Sequence, residues 1–265
     1  MEEGVEVDEG TSVVVGAFTY YYGSDENWYA KLEDNYYMVQ PIKWRVLTSN
    51  YDNGKKLLLA ENVLINCMFY DNYTGSERGT IKQCDYKESR IRAYLNGIAY
   101  NKEGNNSDEF VGKGFFQTAF TSSIRSRIKD TEVDNSARST NPDANANEWN
   151  NGENSCACEN TTDKIFLLSE QEVTTAAYGF AAHDVYKGDN SGTTTSTRIR
   201  MATDFAKANG TYTFNSSNLS AYWWLRSPHW SYETPRVVRD DGQANYEDWP
   251  HSESRGVCPA LCVSN

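Results

Sequence analysis

The chain has 265 residues, 38% of them hydrophobic, with a net charge of −12 and a mean hydropathy of −0.71. That length holds one large domain or two small ones, and the acidic balance weighs against nucleic acid and against an anionic membrane surface, both of which call for a basic footprint. No run approaches the ~18 apolar residues of a membrane-crossing helix, so direct membrane insertion is not expected.

Residues 1–11 are acidic and read as a frayed terminus, and Met1-Glu2-Glu3-Gly4 lacks the basic and apolar regions of a signal peptide. Either export by that route is absent or the start follows a removed segment. Ser12 to Tyr22 is β-branched and aromatic and predicts a first strand, followed by a polar loop over Gly23–Asp34. Pro41-Ile42-Lys43-Trp44-Arg45-Val46-Leu47 alternates apolar and basic residues. The turn signal Tyr51-Asp52-Asn53-Gly54 and the run Lys56 to Glu61 complete a hairpin.

Cys67 to Gln83 reads as loop. Ile91, Tyr94, Leu95 and Ile98 give Ser89–Tyr100 helical spacing, and Phe115, Phe116, Ala119, Phe120, Ile124 and Ile128 predict a second helix, or two short ones, within Gly112–Ile128. Residues 130–163 are rich in Asn, Asp, Ser and Thr and form a long surface loop. Lys164 to Leu168 is a short buried strand. Ser169 and Glu172 have capping-box spacing for a helix that runs on through Val173–Phe180, and Ile199–Ala208 is a further helix with Gly210 as its stop. The pattern is α+β with a mostly antiparallel sheet.

Six cysteines in this length do not make a disulfide-dense scaffold. Cys67 and Cys84 are candidates to bridge a loop. Cys156 and Cys158 read as free thiols or a simple disulfide rather than a metal or redox pair, since no second pair at zinc-finger spacing accompanies them. Cys258 and Cys262 lie four apart, on one face of an extended strand.

The end of the chain is organised differently. Tyr222-Trp223-Trp224-Leu225-Arg226-Ser227-Pro228 and Gly256-Val257-Cys258-Pro259-Ala260-Leu261-Cys262-Val263 read as buried strands, with Trp223 or Trp224 facing the core. Between them, residues 229–256 carry nine charged residues, two His, two Trp and two Tyr, against two branched aliphatics. Such a composition between core strands predicts a display surface. Trp230, Tyr232, Tyr246 and Trp249 are its candidate anchors, and Glu233, Arg236, Arg239, Asp240, Asp248, His251, Glu253 and Arg255 the candidates that set specificity.

This block resembles an uncharacterised bacterial domain family that ends in Trp-Leu-Arg-Ser-Pro, a variable polar stretch and Gly-Val-Arg-Pro-Ala-Leu. Here those motifs read Trp224 to Pro228 and Gly256 to Leu261, with Cys258 where the family has Arg. Pro41 to Leu47, Arg90 to Asn96, Phe116 to Phe120 and Asp163 to Ser169 match upstream landmarks, so the likeness covers most of the chain from about residue 12. Such domains are similar to the C-type lectin-like fold, in the branch of formylglycine-generating enzymes and of the variable proteins of diversity-generating retroelements. The resemblance implies one such domain over residues 12–265, with two to four helices, long loops and a variable surface at 229–256. Randomised adenines in the usual Asn codons cannot give Trp, Glu or Gln, so a diversified template would need other codons at Trp230, Glu233, Gln243, Glu247, Trp249 and Glu253.

Catalytic patterns are absent from the sequence: no His-Glu-x-x-His, no phosphate-cradling glycine loop and no Gly-x-Ser-x-Gly. The acidic pairs Asp240-Asp241 and Glu247-Asp248 read as solvated charges rather than calcium ligands. No cofactor or metal is expected. The sequence therefore points to a non-enzymatic, receptor- or adhesin-like protein. Its partner is a protein or cell-surface glycan, and its place the cell surface, the medium or a phage virion. The alternatives are a copper/thiol oxidoreductase using Cys258 and Cys262, as the enzymes of that branch use two late cysteines, and a structural module of a surface or phage-tail assembly.

Overall fold

The β-branched, tyrosine-rich start of the chain folds as a meander rather than a single strand. The computed structural model describes residues 7–15, 18–71, 85–102, 105–136, 158–182, 194–228, 234–244 and 246–265. β1 (Val7–Val15), β2 (Phe18–Gly23), β3 (Trp28–Leu32) and β4 (Asn35–Met38) pair antiparallel in sequence order. β1 thus reaches into the stretch expected to fray, and β3 lies inside the expected polar loop. Four polar residues suffice for the turn, because the Asp25 carboxylate accepts bonds from the Asn27 backbone N–H (3.2 Å) and the Tyr29 hydroxyl (2.7 Å). Tyr37 packs edge-on against Phe205 at 5.6 Å, tying the meander to the body.

The expected hairpin is present as β5 (Trp44–Tyr51) and β6 (Lys55–Ala60), its turn carrying positive φ at Asp52, Asn53 and Gly54. After β7 (Ile65–Asn66), helix α1 (Arg90–Asn96) is capped by the Ser89 hydroxyl and stopped by Gly97 in the left-handed region. That stop releases Tyr100 from the predicted helix into β8 (Tyr100–Lys102), paired with β9 (Asn105–Ser107). The two short helices are α2 (Phe115–Thr118) and α3 (Ser122–Arg125). β10 (Thr131–Val133) and β11 (Thr161–Asp163) pair at the base of the long loop, whose residues 137–157 lie outside the described ones.

Next come β12 (Ile165–Phe166), helix α4 (Glu170–Val173) with the complete Ser169–Glu172 capping box, and a 3-10 turn at Ala176–Tyr178. Helix α5 (Asp204–Ala208) is half the length expected. Met201 and Ala202 are drawn into β-bridges with Ser220 and Val63, and the Thr203 hydroxyl then caps the shorter helix at Ala206 N–H, 3.1 Å away. The chain closes with β13 (Trp223–Pro228), β14 (Pro235–Val238), β15 (Tyr246–Glu247), β16 (Gly256–Val257) and β17 (Ala260–Val263).

Two sheets carry the body, in the orders β12-β17-β6-β5 and β15-β14-β13-β16-β7, antiparallel except for β13 beside β16. The fold is mixed α+β, mostly antiparallel, with five short helices among the described residues. Its core joins Leu57, Leu59, Phe166, Val237 and Leu261 to Trp223 and Trp224. Both tryptophans are fully buried, so β13 is covered on both faces rather than one. Each indole finds a partner: Trp223 Nε1 donates to the Arg198 carbonyl (3.2 Å) and Trp224 Nε1 to that of Cys67 (2.8 Å). Among the described residues no helix is long and apolar enough to cross a membrane.

Candidate ligand-binding surface

The two apolar ends of the terminal block are direct neighbours. Trp223 pairs with Gly256 in parallel, Gly256 N–H donates to the Tyr222 carbonyl at 2.8 Å, and Val257 pairs onward with Ile65. Glycine is required at this junction by close approach: a Cβ on Gly256 would lie 2.3 Å from Val63 Cγ1 and 2.9 Å from the Tyr222 carbonyl oxygen. Everything between Pro228 and Gly256 is therefore held at both roots.

That insert is not wholly a display loop. β14 folds back on β13 through Trp223–Val238 and Trp224–Val237 pairings, and all four of its residues are buried. Arg236, expected at the binding surface, sits in the interior at 0% exposure, its Nε 3.1 Å from Glu170 Oε2 and donating to the Pro228 carbonyl at 3.2 Å. A buried guanidinium needs such oxygen acceptors, which places Arg236 in the scaffold. Trp230, Tyr232 and Glu233 lie outside the described residues.

Four of the remaining candidates, Arg239, Tyr246, Asp248 and Arg255, converge. Arg239 stands 5.0 Å from the Tyr246 ring centroid and 5.8 Å from that of Tyr222, donates from Nε to the Tyr222 hydroxyl (3.1 Å), and is steadied by Gln243 Oε1 at 3.0 Å. Arg255 also stands over Tyr222 at 4.7 Å and over Tyr212 at 5.5 Å. The rings meet edge to face, Tyr212–Tyr222 at 5.1 Å and Tyr222–Tyr246 at 6.3 Å. The result is an interleaved row: Tyr212, Arg255, Tyr222, Arg239, Tyr246. Asp248 forms an ion pair with Arg255 and accepts the Trp249 N–H at 2.7 Å, which sets the exposed indole beside the row. Trp249 is 54% exposed, and its ring lies 6.4 Å from that of exposed His251. Glu253 is exposed, and Asp240 is half-buried, where partial burial and neighbouring Asp241 hold its carboxyl above the usual range.

Three contributors were not among the candidates read from the sequence: Tyr212, Phe214 and Tyr222. Thr213 bridges Ala221, and Phe214 N–H donates to the Ser220 carbonyl. The Asn215 carboxamide accepts the N–H groups of Ser217 (3.0 Å) and Asn218 (2.8 Å) and closes the turn between them. Tyr212 and Phe214 thus share a face with Tyr222, and they are 43% and 57% exposed. The alternation Thr211-Tyr212-Thr213-Phe214 before Asn215-Ser216-Ser217-Asn218 was the available signal.

A family model described as "Domain of unknown function (DUF6273)" matches residues 53–265. The chain belongs to this family. The DUF6273 match begins within the β5–β6 turn, so the aromatic row lies wholly inside it and the meander before it. No curated protein and no solved structure matches the chain.

Beneath the surface, the DUF6273 scaffold is tied together by Arg226. Its guanidinium donates to the Leu167 carbonyl (2.7 Å), to Glu172 Oε2 (2.5 Å) and, from Nε and Nη2, to the Asp134 carbonyl (3.2 and 3.1 Å). Glu172 also accepts the Ser169 N–H (2.7 Å) and the Tyr51 hydroxyl (2.5 Å). One buried pair thus joins β13, α4 and β5.

The late cysteines pack. Cys258 Sγ is buried and donates to the Ala60 carbonyl at 3.1 Å, and burial pushes its thiol up to about 12 and that of Cys262 up to about 11. Cys67 and Cys158 are also free thiols, while Cys84 and Cys156 lie outside the described residues. Among the described residues no three His, Cys, Asp or Glu side chains are grouped to hold a metal.

Proposed function

We propose that this DUF6273 protein is a non-enzymatic ligand-binding protein, receptor- or adhesin-like, and that the Tyr212–Arg255–Tyr222–Arg239–Tyr246 row with Trp249, Phe214 and His251 is its recognition surface. The row itself carries the reading. Tyr, Trp and Arg dominate the energetics of protein recognition. Cation–π contacts of about 0.5–1 kcal/mol each hold exposed rings and guanidiniums in place before a ligand arrives. The surface is rooted in a covered sheet, which supplies rigidity.

The ligand is a protein or a cell-surface glycan, met at a cell or virion surface or in the medium. Trp230, Tyr232, Glu233, Asp240, Asp248 and Glu253 belong to the same proposed surface. The scaffold is proposed to be C-type lectin-like, with the insert in the place where retroelement-diversified proteins carry their variable residues. Supporting this are two core strands framing a polar, aromatic insert. The copper/thiol alternative fits less well, since both late cysteines are buried in the core and Cys258 Sγ is spent on the Ala60 carbonyl.

The test is to probe a glycan array and intact cells with the labelled protein, and to read the flanking DNA for a near-copy of codons 225–262 that differs at adenines beside a reverse transcriptase. Saturable binding to one target class supports the reading. Absence of binding to every glycan and cell surface would overturn it, whatever the flanking DNA holds.

A further inference from the structure

A pocket of about 510 Å3 lies away from the aromatic row, and none of its lining residues belongs to the 229–256 insert. Small-molecule sites span roughly 300–1,000 Å3. Its floor is the buried Arg226–Glu172–Tyr51 network, its mouth carries Glu132 and Asp134, and Tyr178 forms one side.

Two features of this lining select a ligand. The first is charge. Asp52, Glu132, Asp134 and Glu172 supply four negative charges against the single positive charge of Arg226, and Lys55, ion-paired to Asp52, offsets one more, leaving −4 + 2 = −2. Glu132 and Asp134 project from the same edge two residues apart and are exposed. Glu132 Oε1 accepts the Asn160 amide at 3.2 Å and Asp134 Oδ1 the Ser136 N–H at 2.8 Å. A carboxylate has about four acceptor sites, so both keep capacity for ammonium or hydroxyl donors.

The second feature is at the floor. Arg226 is 3% exposed, and its hydrogen bonds to Leu167, Glu172 and Asp134 use four of the five N–H donors of a guanidinium, one from Nε, two from Nη1 and one from Nη2. The fifth, on Nη2, has no acceptor among these, and Arg226 lines the cavity. A ligand oxygen that accepts there gains a charge-assisted bond. Tyr51 is held against Phe166 at 6.1 Å and so presents a fixed ring to the cavity beside Tyr178.

From these we infer that the pocket binds a small hydroxylated amine of amino-sugar size, with its ammonium at Glu132 and Asp134, a hydroxyl oxygen at Arg226 and its carbon skeleton against the tyrosines. This site is independent of the proposed recognition surface.

Isothermal titration calorimetry of the full chain with glucosamine, glucose, N-acetylglucosamine and putrescine tests it. Glucosamine should bind, and lose at least about tenfold in affinity, equivalent to roughly 1.4 kcal/mol, when the ammonium is acetylated or absent, when the hydroxyls are absent, or in Glu132→Gln/Asp134→Asn. Both substituted residues are exposed, so the variant should melt with the wild type; if it does not, the single variants are titrated instead. No heat from glucosamine at about 10 mM would overturn the assignment. So would N-acetylglucosamine or putrescine binding as tightly, or undiminished binding by the Glu132 and Asp134 variants. Substitutions at Trp249 or Tyr212 should leave this titration unchanged, which separates it from a failure of the recognition surface.

Discussion

Replacing Arg226 with Met should cost more than any exposed residue of the recognition surface. The methionine fills much of the volume but removes four hydrogen bonds and the cation paired with Glu172, whose side chain is 9% exposed. Removing one partner of a buried pair typically costs about 3–5 kcal/mol. Glu172 retains the Ser169 N–H and the Tyr51 hydroxyl, which argues for the lower end, about 3 kcal/mol. At about 2–4 °C per kcal/mol for a chain of this size, Tm should fall by about 6–12 °C. Urea denaturation followed by tryptophan fluorescence reads it directly, because Trp223 and Trp224 precede Arg226 in the same strand, β13. Arg226→Met/Glu172→Gln removes both charges while Gln keeps the capping geometry, so it should recover at least about 1 kcal/mol relative to the sum of the single variants. A single variant losing under about 1 kcal/mol, or strict additivity, refutes the view that this pair ties α4 to β13.

Gly256→Ala should cost about 1–3 kcal/mol by overpacking against Val63, and Val63→Ala in the same chain should recover part of it; a neutral Gly256→Ala in chemical denaturation would contradict the close packing. Burial pushes the Glu170 carboxyl up to about 7, outweighing the pull of Arg236 and Arg198. With the folded value above the ordinary one near 4.5, its contribution is fully present below 4.5 and is lost as pH rises to 7, so wild type should lose stability relative to Glu170→Gln across that window; a constant difference between pH 4.5 and 7.5 would refute this. Cys258, held near 12, should resist iodoacetamide at pH 8 in the folded protein and react once unfolded; modification without unfolding, read by mass spectrometry, would show the thiol to be accessible.

What was legible in the sequence was local. The Ser169–Glu172 capping box and the Asn53-Gly54 hairpin depend on residues within a few positions, and both formed. The length of α5 was not local: Met201 and Ala202 keep a helical pattern but are claimed by Ser220 and Val63. β3 was hidden because the polar run before it contains its own turn, closed by Asp25. In the terminal block, composition located the framing strands, yet it could not distinguish Arg236 from Arg239. One meets Glu170 in the interior and the other meets Tyr222 at the surface, and both partners lie outside the insert. Tyr212 and Phe214 were missed because a β-bridge to Ala221, not sequence proximity, brings them to the insert. Cys258, conspicuous in the sequence, is a small buried donor to the Ala60 carbonyl.

The central claim is that the tyrosine–arginine row and its exposed neighbours recognise a protein or cell-surface glycan. The most direct measurement compares the wild type with Tyr212→Ser/Phe214→Ser/Trp249→Ser for binding to the glycan or cell surface identified by array and cell screening. All three side chains are largely exposed, so Tm should change by no more than about 2 °C, while binding weakens at least about a hundredfold if these are hot spots. A folded triple variant that binds as well as the wild type would contradict the account.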